Sequence, residues 1–209
     1  MSNEKIGLYS AILAALSTAV FAVSILFHNN LLLVLSFGVC MVLSWSYMTL
    51  TCSFAAQASQ DKKALAYAGM SFAGIYAVFV NLVYFTQLTT VNHQAASESI
   101  LKILRYTPGS WLFAFDLFGY GMMAISTFFI GLTIIPLTKS DKWLKVMLML
   151  HGLFAPGSIL FPMLNLFNNT ASGQSGNKIG VIALEGWSLF FIQMMMLAAK
   201  YFAKRLSNK

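Results

Sequence analysis

Residues 110–137 read SWLFAFDLFGYGMMAISTFFIGLTIIPL, and this stretch decides the fold because Asp116 is its only charged residue. A helix of roughly 20 apolar residues crosses the hydrocarbon core of a bilayer. Five other stretches meet the same requirement. The sequence therefore predicts transmembrane helices at residues 6–27, 31–56, 65–90, 110–137, 143–167 and 179–203. The predicted fold class is all-α: a polytopic membrane helix bundle with six transmembrane helices that form a single domain over 1–209.

The composition of the whole chain agrees with this prediction. Of 209 residues, 58% are hydrophobic and 9% are charged, and the mean hydropathy is +0.74. A soluble domain carries about a quarter charged residues, and its apolar residues come in short periodic faces. A soluble enzyme, a secreted disulfide scaffold and a disordered regulator are therefore excluded.

The basic residues predict the orientation of the bundle. There are thirteen Lys and Arg residues against six Asp and Glu, for a net charge of +7. With both termini cytoplasmic, only Lys102, Arg105 and Lys178 lie outside. The cytoplasmic side then holds Lys5, Lys62, Lys63, Lys139, Lys142, Lys145, Lys200, Lys204, Arg205 and Lys209. Cytoplasmic loops carry such an excess, and anionic lipids attract it. We therefore expect cytoplasmic N and C termini, a location in the cell's inner membrane and membrane lipids as partners, with no indication of nucleic-acid binding.

Two of the predicted helices carry distinctive stripes. One stripe of the second helix is polar from end to end and consists of Ser36, Cys40, Ser44, Tyr47 and Thr51. Gly69, Ala73 and Ala77 on the third helix form a small-residue face that allows close approach of a neighbour. The polar stripe either packs against neighbouring helices, with its hydroxyls bonded back to the backbone, or lines a cavity.

The connection at 91–108 is the most elaborate loop. Within it, the spacing of Ile100, Ile103 and Leu104 is consistent with a short interfacial helix over 97–106 that starts at Ser97. A solvated loop is the alternative.

Apart from Lys145 and Lys200 near the cytoplasmic ends of their helices, the charged or histidine residues within the predicted spans are Asp116, His151 and Glu185. Such residues are costly in lipid, so they usually face the bundle interior and are candidates for function. At 1.5 Å per residue, Asp116 and Glu185 each lie about 9 Å below the outer surface.

Other polar side chains lie near that depth, namely Asn81, Tyr84, Gln87 and Asn165. Together with the two carboxylates they come from four helices and predict a water-accessible pocket that opens to the outside. The alternative is that Asp116 and Glu185 pair with Arg105, Lys102 or Lys178, or accept hydroxyl donors, and only stabilise the bundle.

His151 begins a second small and polar face, on the fifth predicted helix. This face continues through Ala155, Ser158, Pro162 and Asn165. Prolines at 156 and 162 interrupt the helix, a feature that is tolerated where the backbone lines a cavity. His151 is therefore either a proton-handling residue or a packing residue whose hydrogen bonds are satisfied within the protein.

Familiar intramembrane enzymes require groups that the sequence lacks. One intramembrane histidine without an HExxH motif does not supply a metal site. Ser158 and His151 lie two turns apart on one helix, about 10 Å, which is too far for a nucleophile and its base. Cys40 and Cys52 form no CxxC motif and are too far apart on one helix for a disulfide. We therefore predict no catalytic residue, no metal and no cofactor.

Two runs resemble a group of six-helix prokaryotic integral membrane proteins of unknown function. In the first, GIYAVFVNLVYFTQLTTV (74–91), Tyr84, Phe85, Gln87, Leu88 and Thr89 match the pattern that ends the third helix. In the second, FAFDLFGYGMMAISTFFIGL (113–132), Asp116 precedes Gly119 and Tyr120 as in that group. The resemblance covers helices three and four and implies the fold, without implying an activity.

The sequence leaves three functional hypotheses. The first is binding or transport of a small molecule or lipid through the outward-facing pocket, with coupling to protons through Asp116 and Glu185. The second is a non-catalytic partner or sensor subunit, which would bind another protein or a second copy of the chain. The third is an intramembrane enzyme that acts on lipid or isoprenoid substrates.

Overall fold

The computed structural model describes residues 2–27, 29–164 and 174–207, with side chains from residue 180 onward in the last range. The regular secondary structure of these residues is entirely helical, as predicted. The helices are α1 (Asn3–Leu26), α2 (Asn30–Gln57), α3 (Lys63–Thr86), α4 (Glu98–Leu104), α5 (Trp111–Thr133), α6 (Lys139–His151), α7 (Phe154–Met163) and α8 (Gln174–Ser207). A 3-10 turn at Gln60–Lys62 leads into α3, and a π-helical turn at Gln87–Val91 follows it.

Six stretches of the described residues are long and apolar enough to cross a membrane. Three of them are α1, α2 and α5, and a fourth is Gly180–Ser207 within α8. The fifth is α3 with its flanking turns, Gln60–Val91, and the sixth is α6 with α7, Lys139–Met163. They coincide with the six predicted segments and indicate a multi-pass membrane protein.

The spans form a ring in the order of the chain. α1 packs against α2, α2 against α3, α3 against α5, and α5 against both α6 and α7. The ring closes because α8 packs against α6 and also against α1. Short connections make successive helices antiparallel neighbours, which accounts for the contacts of α1 with α2, of α2 with α3 and of α5 with α6.

Both ends of the described chain lie on the same side of this ring. The first turns of α1 meet the last turns of α8, where a Cβ at Gly7 would lie 2.6 Å from the Phe202 ring. Lys204 Nζ, near the end of α8, donates to Thr138 Oγ1 at 2.9 Å and to Ser140 Oγ at 2.6 Å. The chain ends therefore share a side with the loop that joins α5 to α6.

The predicted polar stripe of α2 faces the bundle interior and is packed there. The hydroxyls of Ser36, Ser44 and Thr51 donate to backbone carbonyls three residues earlier, at 2.7, 2.8 and 2.7 Å. Tyr47 instead reaches across the ring and donates to Ser126 Oγ on α5 at 2.9 Å. Of the two interpretations of this stripe, the structure supports packing.

Close approach of α3 and α5 depends on a small residue, as predicted. A Cβ at Gly69 would lie 2.9 Å from the Ile130 side chain and 3.2 Å from the carbonyl oxygen of Ser126. Ala73, one turn further along the same face, is fully buried. Small side chains let helix backbones approach closely enough to pack without a hydrophobic driving force in lipid.

The fifth predicted span, 143–167, is present as α6 and α7, with an interruption as its prolines predicted, although the break lies before Pro156. α6 ends at His151, a turn follows at Gly152, and α7 begins at Phe154. Pro156 explains the position of this break, because a proline ring clashes with the carbonyl four residues earlier, here that of Gly152. The polar face predicted to continue from His151 is therefore interrupted after its first residue.

A second proline shortens the fourth predicted helix. α5 ends at Thr133, four residues before the predicted end at 137. Pro136 disfavours helical geometry for the residue before it. The helix therefore stops just ahead of that position.

Candidate functional site

Asp116 lies in the second turn of α5, at the end of the bundle opposite the chain ends. The helix begins at Trp111 because the Ser110 side chain caps it, with Ser110 Oγ accepting from the backbone N–H of Phe113 at 3.2 Å. Asp116 is only 3% exposed. The carboxylate is therefore enclosed by protein.

Two tyrosines hold one oxygen of this carboxylate. Asp116 Oδ2 accepts from the Tyr84 hydroxyl of α3 at 3.1 Å and from the Tyr106 hydroxyl at 2.7 Å. Asp116 Oδ1 is buried and has no hydrogen-bond partner among the described residues. Within those residues, the carboxylate is thus held by neutral donors on one oxygen only.

Of the predicted alternatives for Asp116, the structure shows acceptance from hydroxyl donors and not a pairing with Arg105. Arg105 forms an ion pair with Glu98 at 3.0 Å on the exposed surface of α4. The side chain of Lys178, another predicted partner, lies outside the described residues.

Gln87 fixes the segment that carries Tyr106. Its Nε2 donates to the carbonyl of Leu104 at 2.7 Å, and its Oε1 accepts from the backbone N–H of Tyr106 at 3.1 Å. Gln87 is 4% exposed and begins the π-helical turn after α3. One amide thereby satisfies a backbone donor and a backbone acceptor, and it places Tyr106 over Asp116.

The predicted helix at 97–106 is present as α4, so the alternative of a solvated loop was wrong. Its inward side chain is Leu101, which is buried, whereas Ile100 and Ile103 are 49% and 53% exposed. Ser97 precedes the helix, but its side chain makes no capping hydrogen bond.

Aromatic rings surround the carboxylate and its tyrosines. Phe37 of α2 stacks on Tyr84 with ring centroids 5.5 Å apart and meets the edge of Tyr106 at 5.9 Å. Tyr106 also packs against Phe113, at 5.5 Å. Burial, and next the nearby charge of Asp116, raises the pKa of Tyr106 well above its usual range, so that its hydroxyl stays a donor.

A series of phenols continues from this cluster toward the middle of the bundle. The Tyr120 hydroxyl donates to Cys40 Sγ at 3.8 Å, and the rings of Tyr120 and Tyr76 meet at 5.4 Å. The Tyr76 hydroxyl is buried without a hydrogen-bond partner among the described residues. Sequence reasoning missed Tyr76, although it lies eight residues, about two turns, before Tyr84 on one face of α3.

His151 lies in a separate cluster. Trp187 Nε1 donates to His151 Nε2 at 3.0 Å, and His151 Nδ1 is 2.9 Å from Thr127 Oγ1. An indole N–H only donates, so Nε2 must be the unprotonated nitrogen and Nδ1 carries the proton. Thr127 donates its own hydroxyl to the carbonyl of Ala124 at 2.8 Å and can accept from Nδ1. Both ring nitrogens are satisfied, which favours the packing interpretation of His151.

The remaining predicted residues do not join the Asp116 cluster directly. Asn81 Nδ2 donates to Ser44 Oγ and to the carbonyl of Ala77, at 2.7 Å in each case. Glu185 is half-buried on α8, and its Oε1 has no hydrogen-bond partner among the described residues. Asn165 lies outside those residues. Of the seven predicted site residues, the structure joins Tyr84, Gln87 and Asp116.

Metal binding has no obvious location in the described part of the chain, where no three His, Cys, Asp or Glu side chains come together. No protein-family model, curated protein or solved structure matches the chain. The resemblance to six-helix prokaryotic membrane proteins therefore stays a prediction.

Proposed function

We propose that this protein lies in the inner membrane of a prokaryotic cell with both termini in the cytoplasm, and that it binds and transports a small molecule through Asp116, with coupling to protons. The orientation is supported by the excess of ten over three basic residues toward the side of the chain ends. Asp116 then lies toward the outside, beneath α4.

The function rests on one observation: an enclosed carboxylate with one oxygen bound and the other without a partner among the residues that the structure describes. A buried carboxylate is costly unless a proton, a cation or hydrogen-bond donors compensate for its lost hydration. The two tyrosyl hydroxyls compensate in part. We assign Asp116 Oδ1 as the atom that takes up either a proton or a donor group of the transported molecule.

Access to Asp116 Oδ1 requires movement of residues 98–109, the segment that carries Tyr106. Three hydrogen bonds hold it closed: two made by Gln87 and one from the Tyr106 hydroxyl to Asp116. Gly109, at the end of this segment just before α5, has φ 82°, a conformation that glycine adopts without strain. In the proposed cycle, residues 98–109 swing away as a lid while α5 stays in place, so that the pocket opens only in part of the cycle.

Uptake into proteoliposomes tests this proposal. Pyranine trapped inside reports the internal pH while amino acids, amines and organic acids are added in turn. We expect at least one class to produce a solute-dependent pH change with the wild type, and we expect Asp116→Asn to abolish it. Asp61→Asn, which removes an exposed carboxylate at the other end of the bundle, is the matched control.

Glu185→Gln belongs in the same experiment, because Glu185 carries another buried carboxyl oxygen that has no partner in the described part of the chain. A reduced pH change would include it in the proton path, whereas wild-type behaviour would restrict the path to Asp116. The proposal is overturned if Asp116→Asn retains the wild-type response, or if no solute class changes the internal pH.

A second candidate function, as a subunit that binds another membrane protein, is favoured by the exposed apolar side chains around α4. Ile100, Ile103 and Trp111 are 49%, 53% and 71% exposed at the end of the bundle where the lid lies. Purification from native membranes would recover a stoichiometric partner, and Ile103→Ser would release it, if this candidate is correct.

A further inference from the structure

A groove lies on the face of the bundle that points away from its interior. It is far from Asp116 and close to the side of the chain ends. α8 forms its floor, while α1 and α6 form its walls, and its volume is about 650 Å³. Its lining includes Leu8, Ile12, Met147, Met196, Leu197 and Lys200. The groove is thus almost wholly apolar, with an ammonium group near one end.

The length of the groove matches one leaflet of a bilayer. Along α8 it extends from Ile192 to Ala203, which is about 16 Å at 1.5 Å per residue. This is about half of the ~30 Å hydrocarbon core. Met196 is 58% exposed and Ile12 is 38% exposed, so the groove opens sideways to the hydrocarbon.

The charges at the end nearest the chain termini separate into two groups. Arg205 pairs with Asp141 at 3.8 Å and stacks on the Tyr201 ring, and Lys204 donates to hydroxyls of the neighbouring loop. The ammonium groups of Lys200 and Lys5, by contrast, make no hydrogen bond or ion pair with the described residues. Lys5 lies on the same face of α1 as Leu8 and Ile12, at the rim of the groove.

An exposed lysine at the end of an apolar groove keeps its ammonium at the level of the lipid headgroups, where it attracts an anion. We propose that this groove binds an anionic phospholipid of the leaflet on the side of the chain ends. One acyl chain lies along Leu8, Ile12 and Met196, and Lys200 binds the headgroup phosphate, with Lys5 beside it.

A second copy of the chain is the competing occupant, because Gln193 also lines the groove and is exposed. A glutamine on a spanning helix can form hydrogen bonds between helices. A two-fold contact on this face, however, would bring two Lys200 ammonium groups toward each other. Charge complementarity therefore favours the anionic lipid.

Native mass spectrometry of the full chain tests this proposal, with dioleoyl phosphatidylglycerol and dioleoyl phosphatidylcholine as probes. We expect the wild type to retain phosphatidylglycerol with a preference of about 5-fold, the factor that one lysine near anionic lipid provides. Lys200→Gln should remove that preference. Lys62→Gln, which makes the same charge change across the ring between α2 and α3, should keep it.

Met196→Trp provides an independent readout, because it fills the groove without a change in charge. It should lower the occupancy of both lipids, and soluble glycerol phosphate should displace neither. An equal preference in Lys200→Gln and Lys62→Gln would overturn the proposal. Unchanged lipid occupancy in Met196→Trp, displacement by glycerol phosphate, or a dimer in place of lipid adducts would also overturn it.

Discussion

Asp116 and His151 are both buried polar side chains of spanning helices, but their hydrogen bonds differ in what they leave open. Asp116 keeps one oxygen without a partner among the described residues, whereas both nitrogens of His151 are satisfied. A buried polar group whose hydrogen bonds are all made stabilises the structure around it. A buried polar group with one atom left without a hydrogen bond offers a ligand or a proton a favourable place to bind. The proposed function therefore rests on Asp116, whereas the contacts of His151 indicate a structural role.

The structural role of His151 predicts a loss of stability when its acceptor is removed. His151→Phe leaves the Trp187 N–H without a partner, which should lower the free energy of unfolding by about 1–3 kcal/mol. His151→Gln keeps an acceptor and should lower it less. Unfolding in mixed detergent micelles, followed by circular dichroism, measures both.

His93→Phe is the matched control, because His93 is exposed and lies outside the spans. It should change the free energy of unfolding by less than about 0.5 kcal/mol. Equal losses in His93→Phe and His151→Phe would contradict the structural role.

For single residues, the sequence indicates which side chains are chemically unusual, but it does not indicate which other side chains they contact. Asp116 stands out because charge is rare in a spanning helix, and Tyr84 and Gln87 were predicted near its depth. Tyr106 could not be found in the same way, because it lies in a connection whose path depends on how Gln87 binds the backbone. Glu185 shows the same limit, since equal depth on two helices does not place two side chains in contact.

Among the elements, the proposed lid is held by three hydrogen bonds, and Gln87 makes two of them. Gln87→Leu removes two hydrogen bonds to residues 104 and 106 and leaves buried backbone groups without partners. We expect a loss of about 1–3 kcal/mol, so that amide hydrogens of residues 98–106 exchange about 5- to 150-fold faster. Hydrogen–deuterium exchange with mass spectrometry measures this.

Thr89→Val is the control for the lid, because the Thr89 hydroxyl only donates to the carbonyl of Phe85, four residues earlier. Exchange in 98–106 should stay at the wild-type rate. A lid that exchanges equally fast in the wild type and in Gln87→Leu would show that these hydrogen bonds do not hold it closed.

The helices could be predicted wherever a hydrophobic run marks them. Their ends were predicted less well where a proline ends a helix several residues before its own position. The run at 110–137 correctly gave a spanning helix, but Pro136 ends α5 at Thr133. Pro156 was recognised as an interruption, yet the break falls at Gly152, because the clash of a proline ring is with the carbonyl four residues earlier. Helix ends therefore need the local geometry as well as the pattern.

For the whole molecule, the closed ring gives the two ends of the bundle different roles. The loop from α5 to α6 and the end of α8 are tied together by Lys204. The other end carries the proposed lid and the carboxylate cluster. The ring order follows from short connections, but the sequence alone does not predict that α8 returns to α1, because that contact depends on the fit of Gly7 against Phe202.

The proposed orientation of this ring predicts which end reacts with a reagent that cannot cross the membrane. Cys52→Ser removes the exposed cysteine, and Cys40 is buried and can remain. In that background, Ile100→Cys places a thiol on α4, and Gln60→Cys places one between α2 and α3, at exposed positions in both cases. Because ten of the thirteen basic residues should stay in the cytoplasm, an impermeant maleimide added to spheroplasts should label Ile100→Cys at once and Gln60→Cys only after lysis. The reverse pattern would place Asp116 on the cytoplasmic side and would contradict uptake from the outside through the lid.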